Sequence, residues 1–156
     1  LPHSFLLFGS RGFKVTLVVG EAEIRRTPVL IVEDTSMMRV LLARHLKAEG
    51  FTTILEAHDG QQALDQLAAH PEVGLILLDI EMPVLNGYET LAKLKADPKL
   101  AGIPVVMVTA VEDIEKVIKC LEMGAEDFMP KIFKPALLNA RIYNTLERHW
   151  LRRKVG

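Results

Sequence analysis

The sequence predicts an α/β fold: a doubly wound, five-stranded parallel sheet in the order 2-1-3-4-5 with helices on both faces. Three observations carry that prediction. Segments of strand length recur at residues 28–32, 52–57, 75–78, 103–108 and 127–130, and the first, third and fourth are wholly apolar. A segment of helical periodicity follows each run, so every connection is a crossover and the strands run parallel and right-handed. The run Leu75-Ile76-Leu77-Leu78 has no alternating polar residue, as expected of a strand buried on both faces.

Taken in order, Pro28-Val29-Leu30-Ile31-Val32 ends in Glu33-Asp34. Thr35 or Ser36 is placed to cap the next helix with its hydroxyl. Met38, Leu41, Leu42 and Leu46 recur at helical spacing, and Gly50 supplies the left-handed stop. After the second strand, Asp59-Gly60-Gln61-Gln62 resembles a cap with a glutamine reaching back. Leu64, Leu67 and Ala68 are the expected inner face of that helix. Pro71 precedes the third strand, which ends in Asp79. Beyond Gly87 a helix directs Leu91 and Leu94 inward, and Asp97-Pro98 with Gly102 marks a loop. Thr109 ends the fourth strand. Ile114, Val117, Ile118 and Leu121 form an apolar stripe on the fourth helix, which Gly124 stops. Lys131 lies just past the fifth strand. The last helix starts near Pro135 and carries Leu137, Leu138, Ile142, Leu146 and Trp150. This is the flavodoxin-like strand order.

The 156 residues suffice for one domain with a core. Residues 28–150 are the expected domain, and 151–156 a tail or truncated linker. Residues 1–27 are an extension, a tag or linker in character, to which no function is assigned. Within it Phe5-Leu6-Leu7-Phe8 is too short for a secretory core, residues 14–19 read as an extra strand, and 21–26 as a charged linker. A net charge of -1 offers no bulk attraction for nucleic acid or anionic membrane, so direct binding to either is not expected. Cys120 is the only cysteine, which excludes an internal disulfide and cysteine-based zinc, and fits a cytoplasmic location. No apolar run approaches the roughly 18 residues of a membrane span.

In such a sheet the carboxyl ends of strands one, three, four and five meet, and ligands bind there. Those ends carry Glu33 and Asp34, Asp79, Thr109 and Lys131. Three neighbouring carboxylates ionise together only at high cost, and a hard divalent cation resolves this. Mg2+ takes one or two carboxylates, keeps waters and accepts a phosphoryl oxygen. Lysine adds a positive charge and threonine a hydroxyl. The set reads as a site that holds a phosphoryl group, with Asp79 as nucleophile.

Four motifs stand together: Val29-Leu30-Ile31-Val32-Glu33-Asp34, Leu77-Leu78-Asp79-Ile80-Glu81-Met82-Pro83 with Gly87, Val108-Thr109-Ala110, and Gly124-Ala125-Glu126-Asp127-Phe128-Met129-Pro130-Lys131. On them the chain resembles the receiver domain of two-component response regulators. The resemblance implies that Asp79 accepts phosphate from a sensor histidine kinase or a histidine phosphotransfer protein. It implies Mg2+ bound by Asp34 and Asp79, by Glu33 through water and by the backbone carbonyl of Glu81. Lys131 contacts the phosphoryl group, Thr109 moves toward it, and Phe128 rotates behind Thr109. The fourth helix, fifth strand and fifth helix then present a changed surface to an output domain, a partner protein or a second copy.

Three departures stand out. Glu33 replaces the commoner aspartate, and Phe128 lacks the hydroxyl of the frequent tyrosine. Ile132 follows the site lysine where the family has a proline joined by a cis bond. A cis bond before a non-proline residue costs about 3–4 kcal/mol, so a trans bond is expected. A second pair, Lys134-Pro135, competes for the role of Lys131. Two other readings stay open: a Mg2+-dependent phosphohydrolase with Glu81 as second acid, and a receiver-like interaction module that is not phosphorylated.

Overall fold

The computed structural model describes residues 3–8, 14–110, 112 and 114–155. Its elements are β1 (His3–Phe8), β2 (Lys14–Val19), α1 (Glu21–Arg25), β3 (Val29–Val32), α2 (Ser36–Ala48), β4 (Ile54–Ala57), α3 (Gly60–Ala69), β5 (Leu75–Leu78), α4 (Gly87–Ala96), β6 (Val105–Thr109), α5 (Ile114–Glu122), β7 (Asp127–Pro130) and α6 (Pro135–Val155). Strands β3 to β7 form one parallel sheet in the order β4-β3-β5-β6-β7, the anticipated 2-1-3-4-5. β1 and β2 pair antiparallel in a separate two-stranded sheet.

Successive strand residues point to opposite faces, so each buried run feeds two cores. Val29, Ile31, Leu75, Leu77, Val106 and Val108 pack under α2 and α6. Leu30, Val32, Ile76, Leu78, Val105 and Met107 pack under α3, α4 and α5. That is why the central strands tolerate no polar residue until their carboxyl ends.

Several local expectations need correction. Residues 21–25 are helix α1 rather than a charged linker. Ile24 is fully buried in the core beneath α2 and α6, while the charged residues of α1 stay outside that core. Leu41 and Ala68 are exposed, and the inner faces of α2 and α3 are Leu42, Ala43 and Leu46, and Ala63 and Leu67. On α5 only Val117 and Cys120 are buried; Ile114, Ile118 and Leu121 are exposed. Thr35 is the residue that precedes α2, but its side chain makes no capping bond. At α3 the cap forms as expected: Asp59 accepts from the Gln62 N–H at 2.8 Å, and Gln62 reaches back to the His58 N–H at 3.1 Å.

Candidate functional site

The sheet ladder runs one residue past the strands, and those residues are the site. The Glu33 N–H donates to the Ala57 carbonyl, Asp79 N–H to Val32, and Lys131 N–H to Thr109, at 3.0, 3.0 and 2.9 Å. The backbone N–H of each of these residues is therefore fixed by the sheet. Glu33 and Asp79 are each only 1% exposed, whereas Asp34 stands at the exposed mouth. Carboxylate oxygens of the three lie within 4.8 Å of one another.

Lys131 Nζ bridges the two buried acids, donating to Glu33 Oε1 and Asp79 Oδ2 at 3.0 Å each. Lys134 is exposed, so Lys131 is the lysine that reaches the site. Glu33 Oε2 is buried and has no hydrogen-bond partner. An orphaned carboxylate oxygen beside two other carboxylates is the donor set that a hard cation satisfies, so these residues fit Mg2+. Burial, followed by the charge of Glu33, raises the Asp79 carboxyl to about 7, against the pull of Lys131. The Lys131 ammonium is raised by its two acidic partners against its own desolvation.

The remaining anticipated residues surround this centre. Thr109 is buried at the end of β6. The Glu81 N–H points toward Asp79 Oδ1 at 3.4 Å, a long contact, and its carboxylate pairs with Lys116 on α5 at 2.7 Å. Phe128 is half-buried, packed on the core beneath α3 to α5, with the Arg141 guanidinium 6.0 Å from its ring centre. None of the described peptide bonds is cis, so Lys131–Ile132 is trans as expected, and the Ile132 side chain is 94% exposed. Gly87 is required by space. A methyl group there would lie 2.6 Å from the Ile80 Cα and closer still to the Asp79 carbonyl oxygen.

Sequence reading missed Arg39 and Lys116. Arg39 donates to the carbonyls of Glu33 and Asp34. Its position five residues past Asp34, one turn into a helix, was a weak signal. Lys116 is 35 residues from Glu81, and no local pattern announces the pair.

A doubly wound sheet that gathers three carboxylates and a lysine at its carboxyl edge defines a class by its chemistry: phosphoryl-accepting proteins with an acidic site fit for a divalent cation. The family model for the response regulator receiver domain matches residues 29–143. The chain is 38% identical over 108 residues to the two-component response regulator ORR11 of Oryza sativa subsp. indica, covering 69% of this chain and 73% of that protein. It is 42% identical over 124 residues to the transcriptional regulatory protein CpxR of Escherichia coli, covering 78% of this chain and half of CpxR. The receiver domain of a signal transduction histidine kinase from Syntrophus aciditrophicus superposes with a TM-score of 0.70 at 31% identity, covering 78% of this chain and 90% of that one. The chain belongs to the response regulator receiver family. It is a signalling switch rather than a metabolic enzyme, and Glu33, Asp34 and Asp79 form the acidic cluster typical of the phosphoacceptor and Mg2+ pocket. No helix among the described residues is long and apolar enough to cross a membrane.

Proposed function

We propose that Asp79 accepts a phosphoryl group from a phosphohistidine on a sensor histidine kinase or histidine phosphotransfer protein, in the cytoplasm. Residues 28–150 are the working unit, with α1 added to its core. The observation that carries this reading is the buried Asp79 held 3.0 Å from Lys131 beside an unsatisfied Glu33 oxygen. An oxygen of Asp79 attacks phosphorus, the P–N bond breaks, and the imidazole nitrogen leaves with its electron pair. Lys131 shifts its ammonium from Asp79 toward the new phosphoryl oxygens. Asp34 and Asp79 would bind Mg2+ directly, Glu33 through water, and Glu81 by its carbonyl; bound there, the cation supplies neutralising charge for the phosphoryl oxygens.

Phosphorylation exchanges the single charge of the Asp79 carboxylate for a phosphoryl group that carries about 1.5 to 2 negative charges at the same strand end. Thr109 turns toward them, and Phe128 fills the space behind it by packing alone. The face formed by α5, β7 and α6 changes as a result, and exposed Ile114, Ile118 and Leu121 on α5 give it apolar surface to offer a partner or a second copy.

Incubation with acetyl phosphate tests this. Intact-mass analysis should show one added phosphoryl group, dependent on Mg2+ and absent in Asp79→Asn. Labelling that persists in Asp79→Asn sinks the assignment, and multiple turnover of a phosphate ester would favour a phosphohydrolase instead. Light scattering with and without beryllofluoride reads out self-association.

A further inference from the structure

We propose that Arg39 is a positioning residue for the cation site, acting through the backbone of the acidic pair; the inference rests on the reading of that site given above. One residue here holds three successive carbonyls. Arg39 Nη1 donates to the carbonyl oxygens of Glu33 at 2.7 Å and Asp34 at 3.1 Å, and its own N–H donates to the Thr35 carbonyl at 3.0 Å. Nε lies 3.7 Å from Glu56 Oε1, next to the last residue of β4. The Arg39 side chain is 18% exposed.

The need for such a brace follows from the local geometry. The sheet ladder holds the Glu33 N–H and goes no further along this segment. Thr35 supplies no side-chain cap, so the turn from β3 into α2 lacks the usual hydroxyl tie. Glu33 and Asp34 leave this turn toward the same point, and a small rotation of either peptide unit would part their oxygens. Bonding two consecutive carbonyls to one planar, permanently charged group sets both peptide orientations at once.

Charge alone predicts the opposite effect. A guanidinium near the site repels a divalent cation, so its removal would tighten binding. The brace predicts looser binding. The two effects differ in sign, which makes the test decisive.

Mg2+ affinity of the full chain is measured by calorimetry for the wild type, Asp34→Asn, Arg39→Gln and Arg39→Lys. Groups that hold metal ligands in place are typically worth about 10–100-fold in affinity, so Arg39→Gln should weaken Mg2+ binding about tenfold. Arg39→Lys keeps the charge, but its ammonium ends one bond short of the Nη1 position that bonds both carbonyls, and it should weaken binding less than Arg39→Gln does. At saturating Mg2+ the acetyl phosphate labelling rate of Arg39→Gln should approach that of the wild type, because the defect lies in metal binding. Unchanged or tighter binding in Arg39→Gln, with loss in Asp34→Asn, overturns the role of Arg39 alone. Undiminished binding in Asp34→Asn overturns the site and this inference with it. Should Arg39→Gln fail to fold, Arg39→Lys decides: native circular dichroism with wild-type affinity refutes the brace.

Discussion

Replacing Asp79 by asparagine should stabilise the metal-free domain, and the gain should depend on pH. Asp79 is almost wholly buried, and its carboxyl is raised from an ordinary 3.8 to about 7 by burial and by Glu33. The folded state therefore binds this proton more tightly than the unfolded chain does. The stabilisation so conferred is fully present below pH 4 and is lost as pH rises to about 7. A shift of about three units at 1.36 kcal/mol each sets a ceiling of about 4 kcal/mol. Asparagine keeps the volume but leaves Lys131 with Glu33 alone, so a net gain of about 2 kcal/mol at pH 8 is expected. For a chain of this size that is about 4–8 °C in Tm. The assay is thermal and urea unfolding of both proteins from pH 5 to pH 8 in EDTA, then in excess Mg2+. Near pH 5 the difference should shrink well below its pH 8 value. With Mg2+ it should reverse, because cation at about 100 times its Kd stabilises the wild type by about 2.7 kcal/mol. A difference that is flat with pH in EDTA, or an Asp79→Asn protein less stable at pH 8, refutes the reasoning.

Three further outcomes are expected. Lys131→Met leaves two buried acids without their cation, and should cost about 2–3 kcal/mol at pH 8 in EDTA, measured by urea unfolding, with part recovered on adding Mg2+. Gly87→Ala forces a methyl group against the Asp79 backbone; a loss of about 1–3 kcal/mol together with slower acetyl phosphate labelling is expected, and unaltered labelling would show that the clash relaxes away from the site. Ile24→Ala should cost about 2–5 kcal/mol by urea unfolding if α1 belongs to the core, whereas a linker residue would cost nothing measurable.

The strands and the centre of the site were legible because both are written in short range. A fully apolar tetrapeptide has to be buried on both faces, and the first polar residue after it marks the exposed edge. Glu33, Asp79 and Thr109 follow that pattern, with Asp34 next to Glu33, whereas Lys131 follows a partly buried strand that opens with Asp127 and was placed by the Gly124-to-Lys131 motif. Helix faces were less legible. Periodicity tells which side chains share a side, but Leu41 on α2 faces solvent, and so do Ile114 and Ile118 on α5. Within residues 21–26 the density of charge hid Ile24, whose only apolar neighbour there is the small Ala22.

The sequence alone determined the alternation of strands and helices, their parallel run, and the identities of the residues delivered to the carboxyl edge, because crossover connections and burial leave few other arrangements. Only the folded chain decided how those residues divide the work. It placed Lys131 between Glu33 and Asp79, left one Glu33 oxygen unsatisfied, turned Glu81 toward Lys116 and bent Arg39 back onto the acidic turn. Contacts across 35 to 98 residues depend on how whole layers seat against one another, and no local rule of spacing encodes that.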